Sequence, residues 1–346
     1  MGKHLIVTED GDGSSNEVCS WFYRYGVPFK RLNLDSYKEI DRNSDLYSDY
    51  FNFDNIEISI PDEIKVSDEN FDKEYSSIWF RRPKINLENM VINQTEPGIP
   101  KFLLREIRSN QKSELKELYE YIFNFSIKGS VTLGNKLKSR VNKLEILSLA
   151  NELGICIPRT KVVSLKSQIL EFQEEVNNTL IAKSIFDPIF AMDDDLRRRY
   201  TSYTNVLSDS ILEKIPDHFS PSLVQEKIEK DFEIRTFVMD ENYYSMAIFS
   251  QNNDKTAVDF RRYDLEKPNR TIPFTLPEEL TIKMKELLKR IGFNTCSIDF
   301  IKGENGKYYF LEINPVGQFG MVSKPCNYNL EYSIFKYLTK DEERTS

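Results

Sequence analysis

Cysteine is scarce: four in 346 residues, and Cys19, Cys156, Cys296 and Cys326 lie too far apart for a CxxC or CxxH pattern. That spacing argues against a zinc knuckle or a disulfide framework and fits a reducing, cytoplasmic setting. Histidine is scarcer still, since His4 and His218 are the only two, and they offer neither a triad nor metal-ligand spacing. There is no GxxxxGK[ST] loop and no GxGxxG run, so the Walker-A cradle and the dinucleotide fingerprint are both missing. No apolar run is long enough to cross a membrane, and Ile6 stands where a myristoylation signal needs Ser or Thr. Excess positive charge is lacking too: the formal net charge is -8, which points to no general basic surface for nucleic acid and leaves only a local basic groove open.

What is present is a chain long enough for two or three packed units, with 23 Phe and 18 Tyr to fill them. His4 to Thr8 reads as a buried strand, followed by a Gly-rich turn and a helix over Asn16 to Tyr25 capped by Ser14 or Ser15. Phe29 to Leu34 reads as a second strand, and residues 35 to 75 as short strands joined by loops. Ser77 to Pro83 is a strand stopped by Pro83, with Arg81 and Arg82 at its tip facing either a cleft or solvent. Apolar residues at Phe102, Leu103, Ile107, Leu115, Leu118, Tyr119 and Ile122 predict a helix that closes the first domain. Further helices are expected from Ser139 to Gly154, Leu165 to Val176 and Leu280 to Arg290, and a hairpin over Phe232 to Met239 and Tyr243 to Ser250. The whole is a mixed α/β (α+β) chain whose last third is antiparallel sheet.

Two strands around Gly303-Glu304-Asn305-Gly306 carry the most chemistry. With the turn centred on Glu304-Asn305, Asp299 faces Phe310, and Glu312 is its diagonal neighbour roughly 7 Å away. Glu312 and Asn314 share a strand face. Asp299, Glu312 and Asn314 are hard oxygen ligands set among apolar residues, which suits Mg2+ carrying substrate phosphates better than zinc. Lys183, in the strand Leu180 to Ile185, is costly to bury unless it meets an anion such as phosphate. Lys143 sits near a helix start, where the backbone also favours anions. Val224-Gln225-Glu226-Lys227-Ile228 offers a strand edge for a flat purine, and Glu233 can take a ribose hydroxyl pair. Arg235 shares a face with Glu233, and Asp259-Phe260-Arg261-Arg262 adds another arginine for a phosphate or carboxylate clamp. The run Asp193-Asp194-Asp195-Leu196-Arg197-Arg198-Arg199 reads either as a solvated face or as a contact for a charged partner.

The ordered set Asn142-Lys143, Leu153 to Thr160, Ile181-Ala182-Lys183, Val224 to Ile228, Asp259-Phe260-Arg261, Ser297 to Phe300 and Leu311-Glu312-Ile313-Asn314-Pro315 resembles the ATP-grasp superfamily from about Lys136 to Leu338. Three more stretches, Ile78 to Pro83, Arg199-Tyr200-Thr201-Ser202, and Gly317 to Gly320 through Cys326 to Glu331, look most like its graspetide (microviridin-type) peptide maturases, grasp-with-spasm branch. One departure is Asn142, where many members of that family carry Asp.

The resemblance implies a pre-ATP-grasp domain at 1–125, a central lid at 126–220 and a carboxyl-terminal domain with the metal site at 221–346, assembled as a homodimer. It also implies ATP and Mg2+, two ions, as cofactors, and a precursor peptide with leader and core segments as partner. Lys143 and Lys183 would hold phosphates; Gln225, Glu226, Lys227, Ile228 and Glu233 would hold the nucleoside; Asp299, Glu312 and Asn314 would hold the metal. Arg235, Arg261 and Lys183 would serve catalysis, and Asp193, Asp194, Asp195 and Arg198 the leader. The expected reaction is phosphorylation of an Asp or Glu side chain, followed by attack of a Ser/Thr hydroxyl or Lys amine of the same peptide. Two alternatives are a RimK-like ligase joining an amino acid to a peptide or protein, and an inactive nucleotide-binding regulator.

Overall fold

The computed structural model describes residues 3–34, 48–50, 56–60, 63–66, 69–70, 75–85, 87, 99–126, 129–135, 140–186, 190–193, 198–201, 204–251 and 268–340. It opens with β1 (Lys3–Thr8), α1 (Gly13–Tyr25), β2 (Phe29–Asn33) and β3 (Ser48–Tyr50). A small antiparallel sheet of β4 (Ile56–Ser59), β5 (Glu63–Val66) and β6 (Glu69–Asn70) precedes β7 (Tyr75–Phe80), α2 (Lys101–Ser126) and β8 (Val131–Leu133). The main sheet runs β3-β2-β1-β7-β8 with every pair parallel. A parallel sheet is covered on both faces, which is why Leu5, Ile6 and Val7 are all buried rather than alternating. Leu5, Val7, Ile78 and Phe80 pack on Tyr119, Ile122 and Phe123, while Ile6 and Trp79 pack with Val18 and Phe22.

Asp12, not Ser14 or Ser15, stands at the start of α1; Ser15 is buried and donates its hydroxyl to the Asp12 carboxylate. The helix closes at Gly26 with φ +65°, which a side chain would strain. The predicted stripe of α2 is buried only in its second half, because Phe102, Leu103 and Ile107 are exposed. Length is the reason: a helix of 26 residues spans about 39 Å, roughly twice the reach of the six-residue strands beneath it.

Next come α3 (Lys143–Glu152), β9 (Thr160–Leu165), α4 (Lys166–Val176), β10 (Leu180–Lys183), β11 (Phe190–Asp193), β12 (Arg198–Thr201), β13 (Asn205–Val206), α5 (Asp209–Leu212) and β14 (His218–Glu226). Four strands form an antiparallel sheet in the order β13-β10-β14-β9, with Ile169 and Phe172 of α4 packed on Val163, Leu180 and Val224. The helix predicted from Ser139 begins at Lys143, because Asn142 accepts hydrogen bonds from the Leu144 and Glu145 N–H groups and so caps it.

The last part holds β15 (Lys230–Met239), β16 (Asn242–Phe249), β17 (Arg270–Phe274), α6 (Glu278–Ile291), β18 (Thr295–Gly303), β19 (Tyr308–Asn314), α7 (Gly320–Cys326) and α8 (Leu330–Thr339). Its antiparallel sheet has the order β17-β16-β15-β18-β19. One face carries Ile234, Val238, Cys296, Ile298, Phe300, Phe310 and Ile313 against Ile146, Leu147 and Ala150 of α3 and Met284, Leu287 and Leu288 of α6. Each such side chain is worth about 1.5–3 kcal/mol of burial, so α3 is bound to this sheet by a large apolar contact. The opposite face is apolar at Phe237, Met246 and Ile248 and polar further along, where the candidate site lies. Among the described residues no helix is long and apolar enough to cross a membrane.

Candidate functional site

The register of β18 with β19 differs from the expected one. Phe300 faces Phe310, but Asp299 faces Glu312 directly, because the ladder slips between them and Leu311 is the extra residue. The correction has a packing cause. Phe310 and Ile313 are three apart yet both belong to the apolar face, which strict alternation forbids and a bulge permits. Without the bulge Glu312 would follow Phe310 into the core. With it, Asp299, Glu312, Ser297 and Asn314 stand as two cross-strand pairs on the polar face.

Arg235 on β15 faces Asp299 and reaches it through one nitrogen, 3.0 Å from Oδ1 and 2.9 Å from Oδ2. Both side chains are buried, so the pair is held by mutual charge in a poorly hydrated place. The Asn314 side-chain amide donates to Asp299 Oδ2 at 3.2 Å. Lys143, the first residue of α3, stands 3.1 Å from Glu312 Oε2 and also donates to the Ser184 carbonyl at 3.1 Å. One ammonium thus joins a helix start, the metal-candidate strand and the residue after Lys183. Lys183 itself ends β10, half-buried and opposite Leu223, rather than lying mid-strand.

The stretch expected to be a strand edge is an interior strand as far as Glu226, since β14 has β10 on one side and β9 on the other. The Glu226 and Lys227 N–H groups are taken by the Arg159 and Thr179 carbonyls, and Asn178 donates to the Lys227 carbonyl. The chain leaves the sheet at Lys227 and Ile228, so any purine pairing falls at that exit. Gln225 is buried and donates to Thr160 Oγ1, while its own Oε1 has no hydrogen-bond partner.

Glu233 lies on the polar face with Arg235, as the period of two requires, but its Oε1 accepts from Lys230 and from Ser250. Lys230 and Ser250 were not foreseen. A ladder slip between Lys230 and Phe232 turns Lys230 toward Glu233, and no residue pattern announces such a slip. Asp193 and Arg198 face each other in the β11–β12 ladder, with Arg199 opposite Met192. Asp194, Asp195 and Arg261 lie outside the described residues.

Arg81 is buried and Arg82 half-buried, so neither is the freely solvated arginine of one of the two expectations. Arg81 is 3% exposed; its Nε is 3.3 Å from Asp12 Oδ2, and its terminal nitrogen donates to the Val316 and Gly317 carbonyls, the latter at 3.0 Å. Arg82 pairs with Glu9 and, at 3.7 Å, with Asp12. Burial pushes the Asp12 carboxyl up, but Arg81, Ser15, Arg82 and Thr8 together outweigh it and hold Asp12 below the ordinary range. Burial also draws Arg81 down to about 10, because the Asp12 and Glu9 carboxylates only partly replace water and the like charge on Arg82 adds to the fall. His4, by contrast, is a buried core residue, its Nδ1 2.8 Å from Ser77 Oγ.

The residues present fit ATP with Mg2+. The donor set is all oxygen, two carboxylates and one amide, which leaves most of the shell of a hard cation to phosphate and water. The Arg235 Nε is buried with no hydrogen-bond partner, a donor suited to an anionic oxygen, and the orphaned Gln225 Oε1 is an acceptor suited to an amine.

The chain has the ATP-grasp fold. Three solved structures carry that likeness over nearly their whole length. A RiPP-associated ATP-grasp ligase of Chryseobacterium gregarium, in complex with ADP and a leader and core peptide, is 22% identical with a TM-score of 0.73, covering 100% of this chain and 98% of its own. The macrocyclase MdnC of Microcystis aeruginosa MRC, bound with precursor peptide MdnA, is 21% identical with a TM-score of 0.70, covering 98% and 99%. The ATP-grasp ligase PsnB, complexed with minimal precursor, Mg and ADP, is 14% identical with a TM-score of 0.66, covering 97% and 96%. No protein-family model and no curated protein matches the chain.

Proposed function

We propose that this chain is an ATP-dependent ligase that activates Asp or Glu side chains of a ribosomally made precursor peptide and closes them into ester or amide rings. The observation that carries the reading is the array of Lys143, Glu312, Asp299, Asn314 and Arg235 on one sheet face of this fold. The narrower choice of a peptide substrate rests on the peptide complexes of the three ligases that the chain matches almost end to end.

A carboxylate is a poor electrophile because it repels nucleophiles and has only an oxide to expel. In the proposed reaction its oxygen attacks the terminal phosphorus of ATP, ADP departs, and an acyl phosphate forms. A hydroxyl or amine of the same peptide then attacks the carbonyl, phosphate leaves, and a proton is lost from the nucleophile. Asp299, Glu312 and Asn314 would hold Mg2+, two ions when fully loaded, whose chemistry is to offset charge gathering on the transferred phosphate. Lys143 and Lys183 would hold phosphate oxygens, and Arg235 with Arg261 would steady the phosphoryl group. Gln225, Glu226, Lys227, Ile228 and Glu233 would hold the nucleoside. Glu233 must then share its carboxylate with Lys230 and Ser250.

The units at 1–125, 126–220 and 221–346 would act as substrate domain, lid and metal domain, in a homodimer in the cytoplasm. The Asp193 to Asp195 run with Arg198 would meet the leader by complementary charge. Charge reversal at Asp194 and Asp195 is expected to weaken leader binding; unchanged affinity would remove this assignment.

The test of function is a product mass. Purified chain with ATP, Mg2+ and a peptide encoded beside its gene, rich in Thr, Ser or Lys and in Asp or Glu, should yield ADP and a peptide lighter by one water per ring. Gain of a residue would point instead to a ligase joining separate molecules, and nucleotide binding without ADP release to an inactive regulator.

A further inference from the structure

We infer that Arg81, on the parallel sheet of the first unit, is a positioning residue for the metal-binding strand of the last. The inference rests on the proposed ATP and Mg2+ site. The turn after β19 runs Asn314-Pro315-Val316-Gly317 and closes with the Gly317 N–H on the Asn314 carbonyl at 3.0 Å. Arg81 fastens the far side of that turn by donating to the carbonyls of Val316 and Gly317. Its guanidinium also lies over the Phe319 ring, 5.3 Å from the centroid.

The arginine has little freedom to do otherwise. Asp12 sits beside it, and that carboxylate accepts from Thr8 and from Ser15, so its orientation is fixed from two further sides. The turn is equally confined. Gly317 has φ +59°, and a Cβ there would meet the Phe237 ring at 3.3 Å and the Cys296 backbone at 3.4 Å. Ser297, which faces Asn314 across the ladder, donates to the Gln318 carbonyl at 3.3 Å. The loop is therefore held by Arg81 from one unit and by Ser297 from its own sheet, and Asn314 is the residue through which it enters the site. Groups that orient metal ligands in this way typically affect metal affinity about 10- to 100-fold when removed.

The measurement is Mn2+ titrated into the full-length chain with ADP, free Mn2+ being read by electron paramagnetic resonance, beside ADP binding without metal. Arg81→Met should weaken Mn2+ binding about tenfold or more while metal-free ADP binding stays near wild type. Arg81→Lys keeps the charge beside Asp12 but lacks the fork, and should fall between. A merely structural role predicts that both forms of nucleotide binding decline together, and that outcome overturns the inference, as does Mn2+ affinity within about twofold of wild type. Should Arg81→Met fail to fold, the Arg81→Lys titration decides on the same terms. A wild-type chain that binds no Mn2+ with ADP would remove the proposed site itself, a failure distinct from unchanged affinity in the variants.

Discussion

Arg235–Asp299 in the antiparallel sheet and Arg81–Asp12 at the end of the parallel one are both buried arginine–carboxylate pairs. Their surroundings differ. Around Asp12 the neighbours are Thr8, Ser15 and Arg82, and the partner arginine also holds two main-chain carbonyls. Around Asp299 the neighbours are the Asn314 amide and Glu312, which is half-buried and paired with Lys143. The first arrangement ties its arginine to the main chain; the second gathers oxygen donors and an ammonium on one sheet face. Burial and ion pairing alone therefore do not mark a site.

The sharpest way to break the comparison is to shift the alternation of the strand. Inserting one alanine between Glu312 and Ile313 should turn Ile313 to the polar face and Asn314 toward the core, with loss of the cooperative fold or of all ATP turnover, checked by circular dichroism and ADP release. Next, Asp299→Asn leaves Arg235 without a charged partner. It should cost about 3–5 kcal/mol of stability by chemical denaturation and lower ADP release about a hundredfold or more. Asp12→Asn leaves Arg81 its two main-chain carbonyls, so it should cost less, about 1–3 kcal/mol, and should lower ATP turnover per folded molecule less than Asp299→Asn does.

That third effect has a pH signature. The Asp12 pKa is lowered from 3.8 on folding, so its contribution is fully present above that value and is lost as pH falls through the lower folded value. The stability gap between wild type and Asp12→Asn should therefore narrow below pH 3.8, as read in denaturant titrations at several pH values. The smallest stability effect belongs to Lys143→Met. The loss should stay within about 1 kcal/mol because its pair with Glu312 is partly solvated, while the KM for ATP rises about tenfold.

Much of this site is legible in the residues themselves. Asp299, Glu312 and Asn314 announce themselves as polar residues inside apolar strands, and the β15–β16 hairpin and the helix ending at Gly292 follow from alternation and a glycine stop. What the pattern could not give was the partner of each charge. The bulge at Leu311 arises because Phe310 and Ile313 must both reach one core, a demand set by α3 and α6 from elsewhere in the chain. The fate of Arg81 likewise depended on carbonyls more than 230 positions away. Local propensity is blind to such partners, and so Arg81 read equally well as a cleft residue or a solvated one.

Asn142 caps α3 with an oxygen that carries no charge. An aspartate there would bond the same N–H groups but would also place an anion beside Lys143, in competition with whatever anion that lysine attracts. At 4 Å such a repulsion is worth about 1 kcal/mol in water and more where water is scarce. The amide thus secures the helix without setting a second carboxylate, besides Glu312, against the ammonium of Lys143.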